Sequence, residues 1–340
     1  MRIVPIDLAD TERARETLEE ATRILRAGGL VAFPTETVYG LGANALDAAA
    51  VARIYAAKGR PSYNPLIVHV RDASAVDSVA REWPDAAAQL ARAFWPGPLT
   101  IVLRKREHVP DAVTAGLDTV GVRVPSHPIA HALLSTADVP IAAPSANRST
   151  ALSPTQAKHV ARSLGDSVDL IIDGGPTQVG IESTVIDVTG TVPVLLRPGM
   201  ISIDELERVL SRSVHVADAA SEHTQVGKGL PSPGMMDRHY APRTRLVLAP
   251  SEPDKMTDAL DELRSGGKRV AVLVRDGSDV PIAKGPDVIR MPRDAASYAA
   301  ALFETLHRLD DQGFDAILVE RVPGGYAWGG VRDRLERAAR

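Results

Sequence analysis

The chain has 340 residues, of which 44% are apolar, 24% charged and 4% aromatic, and none is cysteine. The lack of cysteine excludes a disulfide scaffold, a thiol nucleophile, an iron–sulfur cluster and cysteine-ligated zinc. The formal net charge of -4 excludes a globally basic nucleic-acid-binding surface but permits a local basic cleft.

The first thirty residues are charged and predict an amphipathic helix. Ala14, Leu18, Ala21 and Leu25 recur at helical spacing, and Gly28-Gly29 ends the pattern. The segment lacks the basic-then-apolar order of a signal peptide. No apolar run approaches the roughly 18 residues of a membrane span. We therefore expect a soluble, cytoplasmic protein.

Strands and helices alternate over residues 1–210, which predicts an α/β domain. Short apolar runs predict strands at 30–33, 66–70, 99–103, 120–124, 140–144, 169–173, 183–188 and 193–197. Helical patterns lie near 84–94, 127–136 and 154–164. A further helix is expected at 201–210, where Ser202 and Glu205 have the spacing of a capping box.

The chain changes character at residues 211–243, which are polar and rich in Gly and Pro, as in a linker or functional loop. Regular alternation then resumes and predicts a small Rossmann-like open sheet over 244–340. Its strands are expected at 245–249, 269–274 and 314–320, and its helices at 254–264, 295–309 and 330–339. No G-x-G-x-x-G follows the first strand, so the fold alone predicts no dinucleotide site.

Two motifs near the N-terminus could carry chemistry. In PTETVYGLGANA (34–45), two threonines and a glutamate lie between a strand end and a Gly-rich turn, where they could contact a ligand or cap the turn. In KGRPSYN (58–64), Lys58 and Arg60 suit a polyphosphate, although a solvated Lys/Arg pair at a helix end has the same pattern.

Two polar residues interrupt apolar strands. His69 is compatible with a ligand pocket, or with a core-edge histidine satisfied by one hydrogen bond. Arg123 needs an anionic partner if it is buried, and could hold a substrate carboxylate; it could also face the surface. The rigid FWPGP corner (94–98) between them along the chain is interpreted as structural.

The second half of this domain offers further polar loops. Ser145, Asn147 and Ser153 supply hydroxyls, an amide and a helix start capped near Ser153, which suit phosphate, although Ser and Asn are common in turns. The Gly-rich segment 173–187 allows close backbone approach to a ligand, and Arg197 ends a strand where it could face a cleft. The sequence has no H-E-x-x-H, G-x-S-x-G or Walker A motif.

In order and spacing, these motifs resemble the YrdC-like catalytic domain over about residues 10–210. SPGMMDRHYAP (232–242) and the α/β tail resemble the long form of the L-threonylcarbamoyladenylate synthase family. The resemblance implies an α/β fold with a YrdC-like mixed twisted sheet and a concave cleft, plus the small Rossmann-like domain. One departure lies in the linker, where Met236-Asp237-Arg238 puts an acid where the family usually has a cation.

That family joins L-threonine, bicarbonate and ATP into threonylcarbamoyl-AMP and releases pyrophosphate. This nucleotidyl transfer is the first step of tRNA threonylcarbamoyladenosine formation, which other proteins complete on tRNA. The resemblance implies a threonine pocket formed by Thr37, His69, Arg123, Ala143 and Ser183. It implies ATP contacts from Lys58, Arg60, Asn64, Thr119, Ser145, Asn147, Ser153, Arg197 and Tyr240, with Lys58 and Arg60 as the catalytic residues.

The proposed reaction gathers three anions, and Lys58, Arg60, Arg123 and Arg197 could supply four cations. We therefore expect a positive cleft on an otherwise acidic protein. Mg²⁺ is expected to enter with ATP, held by phosphates and water, because few carboxylates fall in the motifs and none forms a metal site. The 211–243 segment is a candidate lid, with Tyr240 and Pro242 as closing contacts.

Two other functions fit parts of the sequence. A basic cleft could bind RNA without catalysis, although the overall acidity and the few aromatic residues oppose this. A YrdC-like domain also occurs in carbamoyl-transfer enzymes of hydrogenase maturation. Those chains carry Cys-rich zinc modules and an acylphosphatase-like part, so this length and the absence of cysteine argue against that class.

Overall fold

A computed structural model describes residues 1–217, 230–233, 239–250, 252, 255–278, 280 and 285–340. Its strands form two separate sheets, one mixed and one parallel. No helix among these residues is long and apolar enough to cross a membrane. The linker residues Met236-Asp237-Arg238 lie outside the described residues.

The larger sheet has eleven strands in the order β1-β8-β2-β3-β7-β4-β6-β5-β9-β10-β11. These strands are β1 (Arg2–Pro5), β2 (Val31–Pro34), β3 (Tyr39–Asn44), β4 (Ile67–His69), β5 (Leu99–Arg104), β6 (Thr119–Arg123), β7 (Ile141–Ala142), β8 (Leu170–Asp173), β9 (Thr184–Asp187), β10 (Val194–Arg197) and β11 (His215–Val216). Its helices are α1 (Thr11–Arg26), α2 (Ala48–Lys58), α3 (Asp85–Phe94), α4 (Asp111–Thr114), α5 (Pro128–Ala137), α6 (Ala157–Leu164) and α7 (Ile203–Leu210).

The smaller sheet is parallel throughout and has the order β12-β15-β13-β14. Its strands are β12 (Arg245–Leu248), β13 (Val270–Arg275), β14 (Val288–Met291) and β15 (Ala316–Val319). Helices α8 (Lys255–Arg264), α9 (Ala295–Asp311) and α10 (Gly329–Ala338) accompany it. The predicted strand–helix alternation is confirmed here, and β14 is an additional strand that the apolar pattern did not reveal.

Five elements of the larger part differ from the sequence-based prediction. Strand β1 precedes the N-terminal helix, α2 and α4 occupy stretches to which no helix was assigned, and β11 lies at the start of the predicted linker. The predicted Gly-rich turn is the buried strand β3, paired with β2. A Cβ at Gly42 would lie 2.8 Å from a Phe33 ring carbon and 2.9 Å from an Ile141 methyl carbon, so glycine here permits close packing of the strand.

Of the two helix N-caps predicted from the sequence, one is confirmed and one is wrong. The capping box of α7 is confirmed: the Ser202 hydroxyl accepts from the Glu205 amide, and the Glu205 carboxylate accepts from the Ser202 amide. The predicted cap at Ser153 is wrong, since α6 begins after Gln156. The Ser153 hydroxyl instead donates to the Glu182 carboxylate, which removes it from any capping role.

One hydrophobic cluster joins the two parts of the chain. Val38, Leu152 and Ile181 from the larger part pack in the same cluster as Tyr298 and Leu302 of α9. Two other clusters pack around the larger sheet and contain the buried faces of α1, α2, α3 and α5. Because the shared cluster buries side chains from both parts, the smaller sheet is held beside the ends of strands β2, β9 and β10.

Candidate active site

A cleft with about 520 Å³ of empty volume lies where these strand ends meet the segment that joins the two sheets. Its wall combines three arginines with hydroxyls, two imidazoles and one carboxylate. The lining residues are Thr35, Thr37, Val38, Gly40, Arg60, Ile67, His69, Arg123, Ala143, Pro144, Ser145, Glu182, Ser183, Arg197, Pro233, His239 and Tyr240. The three arginines predicted as cleft cations therefore reach one cavity.

Arg60 follows the C-terminal end of α2, where Gly59 adopts a left-handed conformation with φ of 60°. Its guanidinium donates to the Asn64 carbonyl at 3.0 Å, the Asn64 side-chain oxygen at 2.6 Å and the Pro65 carbonyl at 2.7 Å. Burial lowers the pKa of Arg60 to about 10, so it stays cationic at neutral pH. Asn64 thus orients Arg60 and is not itself among the lining residues.

Lys58 is the last residue of α2 and is buried, so the solvated Lys/Arg pair considered above is wrong. Its ammonium donates to the carbonyl oxygens of Ser145 and Asn147, both at 2.5 Å. Burial, then the nearby Arg60 charge, holds the Lys58 pKa well below its usual value. Lys58 is not among the lining residues, and its contacts fix the loop that carries Ser145.

Asn147 also contributes to that loop. Its side-chain nitrogen donates to the carbonyls of Arg148 at 2.9 Å and Ala151 at 2.8 Å. Its side-chain oxygen is buried without a hydrogen-bond partner. The pair Lys58 and Arg60 and the pair Ser145 and Asn147 therefore belong to one structural unit. Of the second pair, only Ser145 lines the cleft.

Arg123 ends β6 and is buried, which excludes the surface-facing alternative. Its guanidinium donates to the Glu36 carboxylate at 2.6 Å, to the Thr37 hydroxyl at 2.9 Å and to the Gly97 carbonyl at 3.2 Å. The anionic partner required by a buried arginine is thus a protein group. Burial tends to raise the pKa of Glu36, but Arg123 outweighs this and holds that pKa below its usual value.

His69 lies beside Arg123 in the parallel pairing of β4 with β6. Burial, then the positive charge of Arg123, lowers the pKa of His69 to about 3, so the imidazole is neutral at physiological pH. Its Nδ1 is buried with no hydrogen-bond partner in the protein, so this nitrogen is open to a ligand in the cleft. Ala143 lines the same wall and follows β7 directly.

Ser183 and Arg197 meet across β9 and β10. Arg197 donates to the Ser183 carbonyl and hydroxyl, each at 3.1 Å, and to the Pro233 carbonyl at 3.2 Å. The Ser183 hydroxyl also lies 2.8 Å from the Thr100 hydroxyl. The contact with Pro233 connects the strand ends to the segment 211–243.

Besides Lys58, Asn64 and Asn147, two more predicted ATP contacts lie outside the main cleft. Thr119 lines a small adjoining cavity, which shares Ile67 and Pro233 with the cleft. Ser153 is fully buried behind the wall, and its hydroxyl reaches the cleft only through the Glu182 carboxylate. Ser153 can thus act on a ligand in the cleft through Glu182.

His239 and Tyr240 close the cleft on the side of the smaller sheet. Both side chains are buried, and His239 Nδ1 and the Tyr240 hydroxyl have no hydrogen-bond partner. Tyr240 has a φ of 60°, an uncommon conformation for a bulky residue. Unpartnered polar atoms at a cleft wall are available to a ligand.

The sequence reasoning missed two residues that line the cleft, Glu182 and His239, and the carboxylate that binds Arg123, Glu36. Glu36 and Glu182 stand in motifs that were recognised, PTETVYG and GIESTVID, but neither received a role; the available signal was a carboxylate within an otherwise apolar, buried segment. His239 precedes Tyr240 in the linker motif and was passed over. Among the described residues, no three His, Asp or Glu side chains are grouped as a metal site.

Comparison with known proteins covers both parts of the chain. Residues 23–199 match the Sua5/YciO/YrdC family model, described as telomere recombination. Residues 201–340 match the model of the threonylcarbamoyl-AMP synthase C-terminal domain. The two matches together leave only the first 22 residues and residue 200 uncovered.

Individual relatives are similar along nearly the whole chain. A threonylcarbamoyl-AMP synthase of Pyrococcus abyssi is 44% identical over 96% of this chain and 96% of its own. One from Bacillus subtilis is 42% identical over 95% of this chain and 92% of its own. The crystal structure of P. abyssi Sua5 complexed with L-threonine superposes with a TM-score of 0.88 at 42% identity, covering 99% of this chain and 97% of that one.

Proposed function

The chain belongs to the Sua5/YciO/YrdC family in its long, two-part form, and we propose that it is an enzyme that makes threonylcarbamoyl-AMP from L-threonine, bicarbonate and ATP. The observation that carries the proposal is the convergence of Arg60, Arg123 and Arg197 on one cleft whose histidine and tyrosine groups lack partners. The reaction brings together a carboxylate, bicarbonate and a triphosphate, which need this concentration of positive charge.

We assign the threonine end of the cleft to the wall around Arg123. Thr37, His69, Ala143 and Ser183 line that wall with it. The neutral imidazole of His69 can hydrogen-bond a substrate without adding charge, while Arg123, which uses three of its five N–H donors on Gly97, Thr37 and Glu36, can donate to a carboxylate with the others. The P. abyssi relative has been crystallised with L-threonine, which supports this substrate.

We assign the ATP end to Arg60, Arg197 and the loop fixed by Lys58. Ser145 and Tyr240 line this region directly. Asn64, Asn147 and Ser153 act behind them by orienting neighbours, and Thr119 borders the adjoining cavity. Guanidinium groups suit phosphate oxygens because they can donate two parallel hydrogen bonds.

The chemistry needs no covalent intermediate on the protein. Bicarbonate takes up a proton, and its C–O bond breaks to give carbon dioxide and water. The neutral threonine amine attacks the carbon of carbon dioxide, a C–N bond forms, and the nitrogen releases a proton to leave the carbamate. A carbamate oxygen then attacks the α-phosphorus of ATP, the bond from that phosphorus to the bridging oxygen breaks, and pyrophosphate leaves with the electron pair. The enzyme contributes positioning and charge stabilisation, so we classify it as a nucleotidyltransferase.

We propose that Mg²⁺ enters as part of the substrate Mg-ATP. The donor set on the cleft wall suits this: among the lining residues that the structure describes, the one carboxylate, Glu182, already accepts from Arg334 and from Ser153. Oxygen ligands for a hard cation are therefore expected from the triphosphate and from water.

The carbamate hydrolyses readily in water, so the site should exclude water during the reaction. We propose that segment 211–243 acts as the lid. Pro233, His239 and Tyr240 already line the cleft from this segment, and Pro233 accepts a hydrogen bond from Arg197. The product carries an activated carbonyl, so we propose a cytoplasmic transfer machinery for tRNA as its consumer, with no membrane step.

Pyrophosphate release from Mg-ATP by the purified chain tests the function, with threonine or bicarbonate omitted in turn. Release that requires both substrates, with threonylcarbamoyl-AMP seen by mass spectrometry, is the expected result. Release that requires neither would indicate simple ATP hydrolysis. No release from a folded protein that binds ATP would favour the RNA-binding alternative, for which salt-sensitive RNA affinity is the readout.

A further inference from the structure

The last helix of the chain places a buried arginine against the cleft carboxylate. Arg334 of α10 is 1% exposed. Its Nε donates to Glu182 Oε2 at 2.7 Å, and its Nη2 donates to the Glu182 backbone carbonyl at 3.2 Å. Its Nη1 donates to the Pro198 carbonyl at 2.9 Å, next to Arg197 at the end of β10, and to the carboxylate of Asp333 on its own helix at 2.7 Å. One side chain of the smaller part thus binds two strand ends of the larger part.

The same arginine also contacts the linker. Its guanidinium carbon lies 4.8 Å from the centre of the Tyr240 ring, at cation–π distance. Phe303 of α9 packs on that ring, with centroids 5.9 Å apart. The smaller part therefore holds the aromatic group that closes the cleft, although the hydroxyl of that group stays unpartnered.

A second helix reaches the residue that binds Glu182. His307 of α9 lies with its Nε2 3.0 Å from the Ser153 carbonyl, and the Ser153 hydroxyl donates to Glu182 Oε1. Both carboxylate oxygens of Glu182 are thus occupied, one by Arg334 and one by Ser153. The Glu182–Ser153 pair is contacted from α9 and from α10, at two separate points.

We propose that Arg334 is a positioning residue for the nucleotide half of the site, acting through Glu182 and Tyr240. The inference rests on the proposed function and extends it, since it makes the smaller part a structural component of the ATP site. Arginine suits this role because its planar group can satisfy a carboxylate, two carbonyls and an aromatic face at once. Without it, Glu182 would be a buried charge lacking its direct cationic partner, and both it and Ser153 would be free to shift.

The competing explanation is that Arg334 only stabilises the packing of the two parts of the chain. Breaking a buried ion pair destabilises a protein whether or not it positions a ligand site. The double variant Arg334→Met with Glu182→Gln separates the two roles. It removes the charge of Glu182 together with that of Arg334, while Asp333 keeps its ion pair with Arg337 at 2.8 Å, so much of the stability lost in Arg334→Met should return. The positioning of Ser153 and Tyr240 does not return with it.

The experiment measures KM for ATP, KM for threonine, kcat, melting temperature and ATP affinity by calorimetry. The variants are Arg334→Met, Arg334→Lys and the double variant. Arg162→Met is the control, since Arg162 pairs with Asp311 between the same two parts but is exposed and remote from the cleft lining. The control should match the wild type in KM for ATP and in the calorimetric dissociation constant for ATP, which are the two ATP constants.

We expect Arg334→Met and the double variant to raise the ATP constants by about 10- to 100-fold, with a smaller change in KM for threonine. Arg334→Lys should recover part of the affinity. A double variant with recovered stability and wild-type ATP constants would refute the positioning role, as would ATP constants unchanged in Arg334→Met. If Arg334→Met fails to fold, the ATP constants of the double variant and of Arg334→Lys still distinguish a positioning role from a purely stabilising one.

A wild-type protein that binds ATP but releases no pyrophosphate with threonine and bicarbonate would contradict the proposed function alone. The calorimetric ATP affinities of the same variants would then still test Arg334. Lowered affinity in the Arg334 variants but not in Arg162→Met would support the inference, and equal affinity would overturn it.

Discussion

Replacement of Glu36 by glutamine tests the electrostatic design of the cleft most directly. The Glu36 carboxylate accepts from Arg123 at 2.6 Å and from the Ser126 amide at 3.1 Å, and both ionic side chains are only 4% exposed. Glutamine keeps the size of the side chain and one acceptor oxygen. It removes the charge and turns its amino group toward one of the two donors.

The expected loss of stability follows from these two contacts. One hydrogen bond to a charged acceptor contributes about 1.5–3 kcal/mol, and removing one partner of a buried ion pair costs about 3–5 kcal/mol. These ranges describe overlapping effects, so we expect a loss of about 3 kcal/mol. Chemical denaturation monitored by intrinsic fluorescence measures it.

Glu19→Gln is the matched control, because Glu19 pairs with Arg15 on an exposed helix face, where the same substitution should leave the midpoint unchanged. A pH series adds a second criterion. The folded-state pKa of Glu36 is lowered, so its stabilisation is present above the ordinary carboxyl pKa and is lost as the pH falls through the lowered value. The difference in unfolding free energy between wild type and Glu36→Gln should therefore become smaller as the pH is lowered. Equal midpoints for Glu36→Gln and Glu19→Gln at neutral pH would refute the argument.

Four further outcomes are expected. Arg123→Ala should raise KM for threonine by about ten-fold or more and leave KM for ATP nearly unchanged; a rise confined to ATP would show that the threonine end is misassigned. Threonine affinity should show no transition near pH 6.5 from His69, whose pKa is about 3; a transition that disappears in His69→Gln would contradict this. Lys58→Met should raise KM for ATP, because two loop carbonyls lose their donor, whereas Lys255→Met on exposed α8 should not. Cleavage within 211–243 should lower turnover, while circular dichroism should show that residues 1–210 stay folded. Unchanged turnover would argue against a lid.

Local sequence patterns were sufficient to predict most helices and strands and to identify the arginines of the cleft. The apolar runs located strands such as β5 and β13, and the Ser202–Glu205 spacing located the start of α7, because both features depend on neighbours a few residues away. Arg60 and Arg197 were recognised as cleft candidates because they stood beside a Pro-punctuated loop and a strand end, and Arg123 because it interrupts an apolar strand. Strand β3 was missed because its two glycines mimic a turn, although they permit the strand to pack tightly.

Only the tertiary structure decided which groups these cations meet. Arg123 pairs with Glu36 at a separation of 87 residues, and Arg334 pairs with Glu182 at a separation of 152. No local periodicity carries such information, because the pairing depends on which strand ends and helices pack together. For the same reason the sequence identified Lys58 as a cation without revealing that its ammonium is bound to the carbonyls of Ser145 and Asn147. Residue type and spacing determined what chemistry was available, and packing determined which side chains face the cleft and which hold them there.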